Sequence, residues 1–322
     1  MAMTTALQRS TPETASAAAV SSHGISAITP ADEKRIAKEL SPPVAWPTLA
    51  MALALPLAYL VTAAVGLSHV LPLWICALML IPISYAHYTL VHESIHGNLV
   101  PAFPKLRWLN SAVGWIGALG LGYNWPVLMR THAQHHAYTN TDKDPDIIVK
   151  GSLNALVLKW LKYYIVYASV PLFLGEYLAP AEYQRVAGAL REAEIWQASA
   201  IGFLMIIAAI LSIHFGYGVD WLFLLFIPTR IAALILNIFF QWLPHHPFDR
   251  SERYVNTRIS LWPGGTFLTL QQNLHLMHHL WPSVPFYNYV KLYARLRPLL
   301  IAKGSPIQGL MVGRHAYDLS RD

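Results

Sequence analysis

The chain has 322 residues, of which 55% are hydrophobic and only 12% are charged, with a net charge of +6. About a quarter of the residues are charged in an ordinary globular protein, so this composition favours a membrane protein. The Lys and Arg residues are dispersed, which argues against a nucleic-acid partner. The single cysteine, Cys76, excludes an intramolecular disulfide and a cysteine-rich metal site, so any metal needs His or carboxylate ligands.

The N-terminal region is rich in Ala, Ser and Thr and lacks an apolar run. This composition predicts a disordered cytoplasmic tail over residues 1–44. We expect one membrane domain over residues 45–310 and a C-terminal tail over residues 311–322.

Four apolar runs are long enough to cross a bilayer as helices, at ~1.5 Å rise per residue. They form two hairpins, over 48–67 with 73–91 and over 198–215 with 221–242. The hairpin tips carry no Lys or Arg, so the positive-inside rule places both termini and the middle of the chain in the cytoplasm. For a bacterial protein this means the inner membrane.

Two weaker apolar stretches follow the first hairpin. Residues 111–129 are interrupted by four glycines and a proline, and we interpret them as re-entrant or interfacial. Residues 155–174 contain two lysines and three tyrosines and are interpreted as interfacial. The predicted fold is therefore an all-α integral membrane protein with four transmembrane helices and a cytoplasmic, histidine-rich helical cap.

Eight of the 15 histidines fall in three short clusters on the predicted cytoplasmic side. The first has His-x3-His spacing, and the other two have His-x2-His-His spacing. Residues three and four apart share one helix face, so each cluster can direct its imidazoles at one place. The clusters are His92 with His96, His132 with His135 and His136, and His275 with His278 and His279.

Eight imidazoles exceed what one ion coordinates, so the pattern predicts two metal ions. Nitrogen ligands without thiolates suit iron and a redox reaction with O2, for which zinc is unsuited. His245 follows the fourth run and is the expected ninth ligand, with Gln241 one turn earlier orienting a metal-bound water. Asp144 and Asp146 are expected to accept the outer N–H groups of ligand imidazoles, although solvated loop carboxylates are the alternative.

Other interpretations of these residues remain open. The sequence of the first cluster also matches a zinc metalloprotease in which Glu93 is the general base, but that chemistry leaves most of the histidines without a role. A metal carrier would need ligands along a path through the bilayer, whereas these lie on one side. Arg230, inside the fourth run, either anchors a polar lipid group, pairs with a carboxylate or stabilises helix packing.

The three clusters together resemble the membrane fatty acid desaturase and hydroxylase superfamily, from the first crossing to about residue 300. Residues 132–146, HAQHHAYTNTDKDPD, are similar to acyl-lipid desaturases. Residues 242–248, WLPHHPF, and 272–289, QNLHLMHHLWPSVPFYNY, are more similar to carotenoid beta-ring hydroxylases of the cyanobacterial type. The two halves thus indicate different subfamilies.

The resemblance implies a diiron centre, O2 as co-substrate and a tunnel for a long lipid or carotenoid. The HPGG haem-binding signature of a fused cytochrome b5 is absent, so we expect a separate electron donor, a ferredoxin or a cytochrome b5-like protein. Hydroxylation of a carotenoid is favoured, with fatty acyl desaturation as the alternative. The implied iron ligands are His92, His96, His132, His135, His136, His245, His275, His278 and His279.

Overall fold

The computed structural model describes residues 28–168, 171–311 and 313–319. Within these ranges the fold is helical, apart from one pair of two-residue strands, β1 (Ile259–Ser260) and β2 (Ile307–Gln308), which lie parallel. The α-helices are α1 (Pro30–Glu39), α2 (Trp46–Leu67), α3 (Leu73–Ile95), α4 (Trp108–Leu121), α5 (Trp125–Tyr138), α6 (Leu153–Tyr167), α7 (Gly175–Leu178), α8 (Pro180–Ala187), α9 (Glu192–His214), α10 (Gly218–His245), α11 (Gly265–Leu268), α12 (His275–Leu280) and α13 (Tyr289–Ala302). Short 3₁₀ turns lie at Pro104–Leu106, Pro145–Val149, Leu172–Leu174, Gln272–Leu274 and Phe286–Asn288.

The four predicted crossings are confirmed as α2, α3, α9 and α10, which have 22, 23, 23 and 28 residues. Each is long and apolar enough to span a bilayer. Large apolar side chains such as Leu53 and Ile213 remain 78% and 68% exposed on these helices, as expected where a helix faces lipid. The chain is therefore an all-α membrane protein. α3 carries His92 in its last turn and is followed by His96, and α10 ends at His245.

The fourth crossing is not a uniform α-helix. Two π-helical segments, Leu222–Phe226 and Asn237–Trp242, flank its central α-helical part, Ile227–Leu236. A π-helical turn widens the helix locally and leaves backbone groups less tightly paired, and such turns occur frequently at functional sites. The second π-helical segment ends three residues before His245.

Residues 108–138 form a hairpin of two 14-residue helices, α4 and α5, joined at Gly122. Each helix is shorter than the ~20 residues that a crossing needs, which agrees with the prediction that residues 111–129 do not cross the bilayer. Close packing of α4 on α3 requires small residues, because a Cβ on Gly117 would lie 2.7 Å from the backbone oxygen of His87. The returning helix α5 carries the second histidine cluster.

Arg230 holds the tip of this hairpin from the fourth crossing. Its Nη2 donates hydrogen bonds to the backbone oxygens of Leu121 and Gly122 at 3.3 and 2.9 Å. The guanidinium also lies over the Tyr164 ring, 4.2 Å from its centroid. Carbonyl oxygens at a helix C-terminus carry partial negative charge, so they stabilise the buried cation without a carboxylate. The tip of the hairpin therefore lies beside the middle of the fourth crossing.

The N-terminal region differs from the prediction. Residues 1–27 lie outside the described residues, but residues 30–39 were predicted to be disordered and form α1 instead. Thr29 caps this helix in a capping box with Asp32, and Ile36 and Ala37 are buried against the C-terminal part of the chain. Glu33 fixes the contact, as it is 3% exposed and accepts hydrogen bonds from Arg253, Tyr254 and Trp281. This short helix is ordered by tertiary packing that composition does not reveal.

Candidate metal centre

The histidines predicted from the sequence lie where four helices meet. The first cluster is at the end of α3, the second lies on α5, the third lies on α12, and His245 is the last residue of α10. Each spacing places its imidazoles on one face of its helix, as expected, and the fold turns these faces toward a common centre. The structure thus brings all nine proposed ligands together.

Four of these imidazoles form the first imidazole set, whose nitrogens lie within 4.8 Å of one another. The Nε2 atoms of His92 and His278 are 3.1 Å apart, as are those of His96 and His132. These residues come from α3, α5 and α12, up to 186 positions apart in sequence. The first set is His92, His96, His132 and His278.

Four other imidazoles form the second imidazole set, also with nitrogens within 4.8 Å of one another. The Nε2 atom of His275 is 3.1 Å from that of His245 and 3.2 Å from that of His279. His136 lies between the two sets, with its Nε2 atom 2.7 Å from that of His278. The second set is His135, His245, His275 and His279.

The nitrogen spacing fits metal coordination. Two imidazole nitrogens at ~2.1 Å from one ion and at right angles lie ~3.0 Å apart, within the observed range of 2.7 to 3.3 Å. Burial and the neighbouring imidazoles also hold the pKa values of six cluster histidines well below the usual range, so each of these rings is neutral and has one nitrogen without a proton that can bind a cation. These six are His96, His132, His136, His275, His278 and His279.

Asp144 orients His135 from outside the cluster. The His135 Nδ1 donates to both carboxylate oxygens of Asp144, at 2.9 and 3.0 Å, so its Nε2 faces the second set. Burial alone would lower the pKa of His135, but Asp144 and Asp146 raise it to about 9. Asp144 is fully buried, so it is not the solvated loop carboxylate of the alternative interpretation.

Asp146 and Gln241 pair with each other instead of contacting the imidazole nitrogens closely. The Gln241 Nε2 donates to Asp146 at 3.1 Å, and the Tyr167 hydroxyl donates to the other oxygen of the same carboxylate at 3.1 Å. The nearest Asp146 oxygen is 3.8 Å from the Nδ1 of His135. The prediction that Asp146 accepts an outer imidazole N–H is therefore not realised as a direct hydrogen bond.

Two supporting residues were missed in the sequence. Asn140, which has a left-handed backbone conformation (φ 63°), accepts a hydrogen bond from the Nδ1 of His245 at 3.0 Å. Tyr289 places its hydroxyl 3.3 Å from the Nδ1 of His278. Partners of this kind fix the tautomer of a ligand imidazole. The Asn that follows the second cluster at a turn was a usable signal, whereas nothing local marked Tyr289.

Glu93, the candidate general base of a metalloprotease, is fully buried beside the first set. It accepts hydrogen bonds from the backbone N–H of Phe286 at 3.2 Å and from the Asn98 amide at 3.4 Å. These contacts link the loop after α3 to the segment after the third cluster. Glu93 is therefore engaged in joining two histidine-bearing segments.

Apolar side chains cover the cluster on the side of the crossings. The Phe240 ring lies 5.4 Å from the ring of His92 and 5.0 Å from that of His275, and Tyr88 packs edge-on against it at 4.6 Å. A small cavity of about 20 Å³ lies behind Phe240, lined mainly by tyrosines and leucines. By contrast, a polar cavity of about 320 Å³ lies among the loops that follow α10, and His245 forms part of its wall.

Comparison with known proteins gives a family and several relatives. The model of the fatty acid desaturase family matches residues 68–310. Two beta-carotene ketolases of Paracoccus sp. are similar to this chain. That of strain PC1 is 25% identical over 68% of this chain and 78% of its own length. That of strain N81106 / MBIC 01143 is 26% identical over 64% of this chain and 72% of its own length. The chloroplastic sn-2 acyl-lipid omega-3 desaturase (ferredoxin) of Helianthus annuus is 23% identical over 74% of this chain and 60% of its own length.

Proposed function

The chain belongs to the fatty acid desaturase family of membrane oxidoreductases, and we propose that it is a diiron enzyme that uses O2 to oxygenate a C–H bond of a carotenoid. The observation that carries this proposal is the convergence of nine imidazoles in two sets joined through His136. The relatives named beta-carotene ketolase support the carotenoid as substrate class.

The donor set supports two iron ions. Each imidazole set would hold one ion, and His136 would complete one of the two sites. Among metals that bind imidazole, iron suits a reaction with O2, whereas zinc has no redox chemistry. Bound iron would supply the redox chemistry that allows O2 to attack an unactivated C–H bond.

The proposed product is an alcohol, formed from a ring methylene, O2, two electrons and two protons, with one water released. A second oxygenation at the same carbon would give a geminal diol, which loses water to form a ketone. Hydroxylation is therefore the shared first reaction of a hydroxylase and of a ketolase, and the histidines serve both equally. Positioning of the substrate carbon decides how many times one carbon reacts.

Residues of this chain orient the ligand imidazoles and shield the reacting carbon from water. Asp144 and Asn140 fix the orientation of His135 and His245 through their Nδ1 atoms. Phe240 and Tyr88 present an apolar surface on the side of the crossings, from which a hydrophobic substrate would approach and water would be excluded. The polar cavity beside His245 offers a separate approach for protons.

Electrons would come from a separate donor, a ferredoxin or a cytochrome b5-like protein. We place the cluster, and with it both termini, on the cytoplasmic side, because the hairpin tips lack Lys and Arg. The donor would then dock on the cytoplasmic cap. In a bacterium the membrane would be the inner membrane.

Fatty acyl desaturation is the second candidate, favoured by the similarity to the omega-3 desaturase. The same ligands would serve, and two hydrogens would be removed from adjacent carbons without oxygen insertion. A zinc protease is disfavoured, because Glu93 is held by Phe286 and Asn98 and the remaining histidines would have no role.

Expression of the chain in a host that makes β-carotene tests these alternatives. We expect hydroxylated or keto carotenoid in the pigment extract and about two irons per purified chain. His278→Ala removes a nitrogen of the first set that also contacts His136, and should abolish the product and lower the iron content. His69→Ala, in an exposed turn of the first hairpin, is the control and should preserve both. A new acyl double bond without any oxidised carotenoid would favour the desaturase. Full activity of His278→Ala would contradict the proposal.

A further inference from the structure

A third cavity, of about 180 Å³, lies at membrane depth, away from the metal centre. It is enclosed by α6, α9 and the first half of α10, and its walls are mostly apolar. Ile206, on the α9 wall, is 41% exposed on the lipid-facing surface. A molecule entering this cavity would therefore come from the bilayer.

Arg230 lines this cavity, and only part of its guanidinium is hydrogen-bonded. The side chain is 6% exposed, and its Nη2 is occupied by the backbone oxygens at the tip of the α4–α5 hairpin. Its Nη1 is buried and has no hydrogen-bond partner among residues 28–168, 171–311 and 313–319. A buried charged donor without an acceptor is costly, and more so at membrane depth.

Trp221 supplies a second unused donor to the same cavity. Its Nε1 is buried and has no hydrogen-bond partner in the described part of the chain. The π-helical segment Leu222–Phe226 follows it directly, and the Trp221 ring stacks on Phe226 at 5.4 Å. Two unsatisfied donors around one lipid-accessible cavity are better explained by a ligand than by two separate defects in packing.

We propose that this cavity binds an oxygen-bearing group of a lipid, which accepts hydrogen bonds from Trp221 Nε1 and Arg230 Nη1. A carboxylate, carbonyl or hydroxyl oxygen would satisfy both donors, whereas a pure hydrocarbon would leave both unpaired. The positive charge of Arg230 further favours an oxygen with negative or partial negative charge. Two sources share this chemistry, the far end of a substrate molecule that already carries an oxygen, such as a monohydroxylated carotenoid, and a lipid of the bilayer.

The position of the cavity suits the far end of a long substrate. Arg230 precedes His245 by fifteen residues on α10, which corresponds to about 20 Å along the helix. The Tyr123 ring, 5.6 Å from the Arg230 guanidinium, also lines the small cavity behind Phe240. A molecule reaching from the metal centre to Arg230 would span most of the ~30 Å hydrocarbon core. This choice of source rests on the proposed function, whereas the binding site itself does not.

Trp221→Phe tests the proposal, because it keeps an aromatic ring and removes the donor. The probes are β-carotene and its monohydroxylated derivative, titrated into the full-length protein and followed by the shift of their absorption. Loss of one hydrogen bond should weaken binding of the hydroxylated probe about three- to tenfold, with little change for β-carotene. Trp160→Phe is the matched control, because Trp160 Nε1 is also buried without a partner in the described ranges but does not line this cavity.

Lipid extracted from the purified proteins identifies the source. A selective loss for the hydroxylated probe assigns the site to the substrate. If the probes bind alike but an acidic lipid copurifies with the wild type and Trp160→Phe and not with Trp221→Phe, the ligand is a bilayer lipid. If neither difference appears, the proposal is overturned. Failure of the proposed function would show instead as absence of iron and of product in the unmodified protein.

Discussion

Asp144→Asn tests whether the carboxylate behind His135 organises the metal centre. The side chain is fully buried and accepts hydrogen bonds from the His135 Nδ1 and from the backbone N–H groups of Asn140 and Asp146, at 2.8 and 2.9 Å. Asparagine has the same shape but replaces one acceptor oxygen with an NH₂ group. At least one of these donors would then face another donor, and the charge that supports His135 would be lost.

The expected loss is tenfold to a hundredfold in iron affinity or in turnover, or about 1.4 to 2.8 kcal/mol. Outer partners of ligand imidazoles generally contribute in this range, because they fix the tautomer and raise the basicity of the ligand. We expect the larger value here, since Asp144 is buried and its orphaned donors have no access to water.

The assay combines the iron content after dialysis against a graded chelator with the yield of oxidised carotenoid. Asp142→Asn is the matched control, with the same chemical change at an exposed position two residues earlier. It should retain iron and activity. Wild-type iron retention and turnover in Asp144→Asn would refute the positioning role of Asp144.

Two further predictions concern packing around the centre. Glu33→Gln removes the buried charge that accepts hydrogen bonds from Arg253 and Trp281, so protection of the α1 amides from hydrogen exchange should fall by about 2 kcal/mol. Glu39→Gln, the control in an exposed ion pair with Arg295, should change this protection much less, and equal effects of the two substitutions would contradict this account. Gly117→Ala places a Cβ 2.7 Å from a backbone oxygen of α3, so the free energy of unfolding in detergent should fall by about 1 to 3 kcal/mol, with loss of iron. An unchanged melting curve would show that α3 and α4 can move apart without cost.

Features with a local signal were predictable from the sequence. The four crossings follow from the length of apolar runs, and the sharing of one helix face by His132, His135 and His136 follows from helical periodicity. The prediction that residues 111–129 do not cross the bilayer also had a local signal, the glycines and the proline that interrupt them.

Contacts between distant segments were decided by the tertiary structure alone. Asn140 and His245 are 105 positions apart, and their pairing depends on how α5 and α10 meet. Arg230 was recognised as unusual, but its carbonyl partners became evident only once the α4–α5 tip was placed against it. The helix α1 was missed because a short polar helix is stabilised by its docking partner, which a local pattern does not contain. Local spacing thus determined which side chains can share a face, and long-range packing decided what each face meets.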